Sequence, residues 1–210
     1  MRYLTLAVAA MTFAAAAAGA DHRDLEFNRP AAGIQSVELQ VGVGDVSITA
    51  DPADVVAAHV EVSPKRSHLW GSSSSDLDSL EISGEMRGDT LVLRLKPSPG
   101  HDVEFGEDWT VRLPARLALR LKVGVGDVRV VDMAGDVVTK VGVGDVRLEG
   151  TYDSFGDIHS SCGVGDATLR TPAGRNEGEG FIAHTLKATG PGKAEIRIEA
   201  GVGDVTIHLR

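Results

Sequence analysis

Seven histidines (His22, His59, His68, His101, His159, His184 and His208), thirty carboxylates and one cysteine are the residues of this chain that could ligate a metal or move a proton. No two histidines stand in H-x-x-x-H or H-E-x-x-H spacing, which sets two imidazoles on one helical face for zinc. The densest constellation is Asp157, His159, Ser160 and Ser161. Alternation along a strand puts Asp157, His159 and Ser161 on one face, and these are the residue types of an acyl-transfer triad. Neither a nucleophile elbow nor an oxyanion loop accompanies them, so they read as surface polar residues of a strand. Cys162 stands where other copies of a repeat carry valine or alanine; its neighbours Ser160, Ser161 and Gly163 supply no positive charge to stabilise a thiolate, and a small buried thiol is expected. No catalytic, cofactor-binding or metal-binding residue is assigned, and the chain reads as a non-enzyme.

Three further motifs have turn explanations. Arg87-Gly88-Asp89 spells a tripeptide read by some cell-surface receptors, but Gly-Asp is also ordinary turn chemistry at a strand corner. The string VGVGDV resembles a glycine-rich phosphate loop only superficially, since neither Lys-Ser or Lys-Thr nor a helix follows it. A row of its aspartates would repel unless satisfied by backbone N–H groups or a cation. The calcium-binding nonapeptide roll needs G-G-x-G-x-D-x on a continuous nine-residue beat, which is missing here, so turn-forming aspartates bonded to N–H groups one or two residues on are expected.

The elements that carry these residues follow from the repeat itself. VGVGDV occurs unchanged at 41–46, 123–128 and 141–146, and recurs as CGVGDA at 162–167 and AGVGDV at 200–205. Asp127, Asp145, Asp166 and Asp204 follow one another at 18, 21 and 38 residues. The last interval is about two of the others, so the working period is about 18 to 21 residues, that of a short solenoid turn. This spacing predicts Asp127 stacked over Asp145 and Asp145 near Asp166. Gly135-Asp136 and Gly156-Asp157 echo the motif at half a period, implying two strands and two corners per turn. Between corners the residues alternate, as in Val146, Leu148 against Arg147, Glu149, and Ala194, Ile196, Ile198 against Glu195, Arg197, Glu199. Glycine supplies positive φ at the bend, and the Gly-Val before it is expected to give a flat outer position followed by an inward valine.

The expected fold is therefore all-β, a single-stranded β-helix or β-solenoid. Regular turns are placed at 114–210, with an irregular first half holding strands at 36–43, 46–50, 55–63, 79–84 and 90–95. Pro64 and the serine tract 72–75 mark a loop at 64–78; Pro97, Pro99, Gly100 and Gly106 mark another at 97–109. Each loop contains a tryptophan, Trp70 or Trp109, expected to pack beneath its own loop or to anchor a partner.

Residues 1–20 read as a signal peptide: Arg2, an apolar run from Leu4 to Ala18, and the exit Ala18-Gly19-Ala20. Residues 21–210 then form one domain, periplasmic, secreted or at the cell surface, with no second apolar run long enough to span a membrane. A single cysteine excludes an internal disulfide framework. The formal charge is −9, with no basic run, which argues against nucleic acid as a partner.

The exported start, GDTLVLRL at 88–95, VRLPARLALRLKVGVGDVRV at 111–130 and the Gly-Asp-Val returns at 135–137 and 144–146 resemble the bacterial putative-adhesin families of unknown function, which carry β-strand repeats akin to autotransporter adhesin heads. The resemblance covers about residues 34 to 210 and implies a β-solenoid with no catalytic residues. It points to adhesin-like binding of an envelope or surface partner. A structural role through self-pairing of solenoid edges is the alternative, and an enzyme acting on envelope polysaccharide a third reading. Export is directly checkable: intact-mass measurement of the secreted or periplasmic protein should give an N-terminus at Asp21, and a chain still starting at Met1 would contradict it.

Overall fold

The structure is a computed structural model that describes residues 22–64, 77–97, 105–178 and 184–210. The leader, Trp70, His68 and His101 lie outside the described residues. The described chain is all-β, with strands β1 (Arg23–Pro30), β2 (Ser36–Val43), β3 (Val46–Ala50), β4 (Val55–Pro64), β5 (Leu80–Arg87), β6 (Thr90–Pro97), β7 (Phe105–Leu113), β8 (Ala118–Val125), β9 (Val128–Val131), β10 (Val137–Val143), β11 (Val146–Gly150), β12 (Phe155–Val164), β13 (Ala167–Thr171), β14 (Gly174–Glu177), β15 (His184–Thr189), β16 (Ala194–Val202) and β17 (Val205–Leu209). They form two mixed sheets, ordered β1-β4-β7-β3-β9-β11-β17-β13-β14 and β15-β12-β16-β10-β8-β2-β6-β5, and neither closes into a barrel.

Each VGVGDV-type motif joins a strand of one sheet to a strand of the other, so every copy makes a two-strand rung with a glycine corner. Rungs stack in parallel and in register: Val143 lies beside Val125 and Val202, and Val146 beside Val128 and Val205. The expected alternation holds. Val128, Val130, Val146, Leu148, Ile196, Ile198, Val205 and Ile207 are all buried, and one apolar cluster collects the inward residues of both sheets.

Chain order and stacking order differ. The rungs lie in the order 36–50, 118–131, 137–150, 194–209, 155–171, so the C-terminal rung is inserted between its two predecessors. Asp145 therefore neighbours Asp204, and the expected Asp145–Asp166 adjacency is replaced. After β11 the 3-10 turn Tyr152–Ser154 carries the chain past one rung position, its Tyr152 N–H donating to the carbonyl of Arg210 in the inserted rung. After β13 the chain turns back: β14 pairs antiparallel with β13, and β15 antiparallel with β12, both on the outer side of the rung 155–171. Gly156-Asp157, expected at a corner, lies inside β12 at a register shift between Phe155 and Ile158. Gly135-Asp136 does lie at a bend, and Asp136 Oδ1 accepts from Glu195 N–H at 2.8 Å.

At the opposite end the stack gives way to antiparallel pairing, β7 with β4, β4 with β1, and β6 with β5. Two expectations are corrected here. The loop placed at 97–109 ends by Phe105, where β7 begins, because Glu107 and Trp109 turn inward in alternation with Gly106 and Asp108. Strand β1 is absent from the expected strands because Arg23–Pro30 is an edge strand with Asp24, Glu26 and Asn28 on its exposed face and only Leu25 and Phe27 as apolar side chains on the other. Arg87-Gly88-Asp89 belongs to a hairpin in which Arg87 pairs with Thr90, leaving Gly88 (φ 66°) and Asp89 as its two-residue turn.

The corner glycines are required twice over. Gly126 and Gly144 have φ of 144° and 141°, and a Cβ on either would overlap the carbonyl oxygen of the glycine one rung away, Gly44 and Gly126 respectively. Gly126→Val or Gly144→Val should therefore destabilise the fold by about 3 kcal/mol, combining backbone strain with overpacking. Gly33→Ala, at φ 79° with nothing within 4 Å of the new carbon, should cost only about 1 kcal/mol. Thermal or urea melts check this, and equal small shifts for all three variants would refute the close-approach account.

Candidate functional site

Each corner presents five residues in sequence: an inward valine, alanine or cysteine, a glycine, a valine, a second glycine and then aspartate. Stacking turns each position into a row. The inward row contains Val41, Val123, Val141, Ala200 and Cys162, all buried. The next valine, expected to face inward, points out. Val125, Val143 and Val202 are 46 to 47% exposed and Val164 is 56% exposed, and with Val43 they form one continuous row in register. The alternation of β8, β10 and β16 breaks at their ends: Gly124 and Val125, Gly142 and Val143, and Gly201 and Val202 are exposed in succession as the chain turns from one sheet to the other, and glycines on both sides leave no side chain to cover the valine.

The aspartate row is a hydrogen-bonded ladder. Asp45 N–H donates to Asp108 Oδ1 at 2.9 Å, Asp127 N–H to Asp45 Oδ1, Asp145 N–H to Asp127 Oδ1, Asp204 N–H to Asp145 Oδ1 and Asp166 N–H to Asp204 Oδ1, the last four at 2.8 Å. The carboxylates of Asp108, Asp45, Asp127, Asp145 and Asp204 thus each satisfy the backbone of an adjacent rung instead of a residue one or two further along their own chain. His184 Nδ1 lies 3.0 Å from Asp166 Oδ1 at one end of the ladder. All six aspartates are exposed.

Asp108 is a ladder member that sequence reading missed. Val46 pairs with Trp109 in parallel register, so Phe105-Gly106-Glu107-Asp108-Trp109 occupies the place of a corner with glutamate where the second glycine would be. Comparing FGEDWTVRL with VGVGDVRL would have revealed it. Trp109 is 1% exposed and fills the position of the inward valine, so it belongs to the core. Glu107 is 4% exposed. It accepts from the Gly42 N–H at 2.6 Å and from the Trp109 indole Nε1 at 2.9 Å. Burial pushes its carboxyl above the ordinary glutamate range, with these two donors pulling the other way.

Along one flank of the ridge, Gly42, Gly124, Gly142 and Gly201 floor a shallow open groove of about 1020 Å³, bordered by Arg94, Phe105, Lys122, Lys140 and Glu199. Lys122 pairs with Glu38 at 2.8 Å and Lys140 with Glu199 at 2.7 Å; the bond from Lys122, with one from Gln40 Nε2 at 2.6 Å, holds the Glu38 carboxyl below its usual range.

The other sequence candidates are not assembled into a reaction centre. Asp157 and His159 line a shallow depression with Lys187, Glu195 and Arg197. Ser161 is on the same strand face but Ser160 is buried, its hydroxyl without a partner among the described residues. Cys162 is buried and donates its thiol to the Gly203 carbonyl; burial, then the nearby Asp204 carboxylate, push its pKa up. Among the described residues, no three histidine, cysteine or carboxylate side chains are grouped to hold a metal ion. His59 lies 3.5 Å from Asp24 across β1 and β4.

No protein-family model matches the chain, and no curated protein matches it by sequence. Among solved structures, a putative cell adhesion protein from Clostridium sporogenes aligns over 90% of this chain and 100% of its own, with a TM-score of 0.52 and 16% identity. A putative adhesin from Bacteroides fragilis aligns over 88% of this chain and 97% of its own, at 11% identity and a TM-score of 0.26. The first likeness establishes a shared all-β fold.

Glu107 yields a pH test. Its folded-state pKa is raised, so between the ordinary value near 4.5 and the raised one the folded state keeps a proton that the unfolded state releases, and stability falls as pH rises through that window. Glu107→Gln should destabilise at neutral pH by about 1 to 3 kcal/mol, because one amide donor must face a donor. The gap between wild type and variant should widen as the pH is lowered toward 4.5. A gap that narrows on acidification would show that the folded pKa is depressed instead.

Proposed function

We propose that this chain is an exported, non-enzymatic envelope or surface protein, adhesin-like in that it binds a partner through the rigid face of a β-solenoid. In this reading the five rungs are solenoid turns, the last threaded between its predecessors, and the N-terminal 20 residues direct export. The observation that carries it is the exposed valine row. The glycines, inward residues and aspartates of each corner have roles in packing or backbone satisfaction, whereas the side chains of Val125, Val143, Val164 and Val202 bury little, yet valine recurs at every copy. A contiguous apolar stripe rimmed by polar residues is the usual mark of an interaction surface.

Binding is favoured over assembly through sheet edges, because charged side chains discourage strand addition there: β14 carries Arg175 and Glu177, and β5 carries Glu81, Glu85 and Arg87. It is favoured over polysaccharide hydrolysis because that chemistry needs two carboxyls across a cleft, and the aspartate row is exposed on a ridge.

The triple variant Val125→Thr, Val143→Thr, Val202→Thr keeps β-branching and shape. It should melt within a few degrees of wild type while its co-sedimentation with isolated envelope fragments falls several-fold. Undiminished co-sedimentation would overturn the ridge as the binding face, and turnover of envelope polysaccharide lost on a single carboxylate change would overturn the non-enzymatic reading.

A further inference from the structure

Building on the binding reading, we infer that the ridge receives an extended, cationic, partly apolar peptide segment of a partner protein. The apolar stripe and the carboxylate row run side by side two residues apart, with the same spacing of about 4.8 Å per rung. Six aspartates then extend over about 24 Å, a length spanned by roughly seven or eight extended residues at 3.3 Å each. The strip measures a few hundred Å² at most, well under the roughly 800 Å² per partner of a stable globular complex. Its shape suits a narrow segment.

The charge of the occupant follows from what surrounds the row. Among the described residues, Asp45, Asp127, Asp145 and Asp204 form no ion pair, while Lys122, Lys140, Arg116, Arg129, Arg197 and Arg210 are each engaged with another carboxylate. Asp45, Asp127, Asp145 and Asp204 each use Oδ1 on a neighbouring rung, leaving Oδ2 for an incoming donor. A second copy seated ridge to ridge with opposite stacking direction would set aspartate row against aspartate row. A lysine- or arginine-bearing segment meets carboxylates and valines together.

The test uses the mature protein and three eight-residue probes, alternating Lys-Val, Glu-Val and Lys-Ser, followed by fluorescence anisotropy at low and high salt. The Lys-Val peptide should bind, weakening at least tenfold as salt is raised, with Lys-Ser at least tenfold weaker and Glu-Val not binding. Asp127→Asn, Asp145→Asn, Asp204→Asn retains the Oδ1 acceptors of the ladder and should fold; it and the triple Val→Thr variant should each lose at least tenfold in Lys-Val affinity. Lys-Val affinity unchanged within twofold in both variants, or equal binding of Glu-Val, would overturn the inference. So would a concentration-dependent dimer abolished by the Val→Thr changes, which would give the ridge to a second copy. Loss of envelope co-sedimentation in the Val→Thr variant without any Lys-Val binding would overturn this partner class and leave the binding reading standing.

Discussion

The corner of one rung sits directly on the corner of the next, backbone against backbone, with no side chain between them. A Cβ at Gly124, Gly142, Gly201 or Gly163 would strike the carbonyl of the glycine on an adjacent rung, as would one at Gly126, Gly144, Gly203 or Gly165. Two glycines per corner are what permit parallel strands of both sheets to stay in register around a tight bend. In-register stacking then lines up the inward valines, the outward valines and the aspartates. The ridge is a consequence of the packing, and its composition is where selection for function has room to act.

The aspartate ladder shows which of two opposed effects prevails. Carboxylates one rung apart repel by about 0.9 kcal/mol per pair in water. Each ladder hydrogen bond to a charged acceptor contributes about 1.5 to 3 kcal/mol, and salt screens the repulsion further. The bonds therefore outweigh the repulsion without a cation, and they satisfy N–H groups at corners where strand pairing stops. Where the ladder meets antiparallel strands, Asp108 continues it and Glu107 takes over for Gly42, so a buried carboxylate closes the stack where a glycine corner is absent.

Much of this was legible in the residues. Strands β2, β3, β4 and β6 begin at the expected residue or end within two of it, because alternation and Gly-Asp punctuation are local signals. The order of the rungs was not legible, because nearly identical corners such as VGVGDV and AGVGDV are interchangeable as neighbours and chain distance was the only guide. The outward valine escaped for another reason: strand alternation after Val123 or Val141 predicts burial at Val125 or Val143, but the alternation breaks at the corner, where Gly124-Val125 and Gly142-Val143 are exposed in succession. Trp109 was assigned to a loop by the prolines before it, although its register with Val46 makes it a core residue.

The stacking order is the claim from which ladder, ridge and inserted rung all follow, and paired cysteines test it most directly. One rung separates Cα atoms by about 4.8 Å, within disulfide range, whereas two rungs separate them by about 9.6 Å, beyond it. In a Cys162→Ser background, oxidation of Val143→Cys, Val202→Cys should give a cross-link between these peptides, and Val143→Cys, Val164→Cys should give none. The reverse pattern, with 143 joined to 164 and not to 202, would mean that the rungs wind in chain order and would contradict the account.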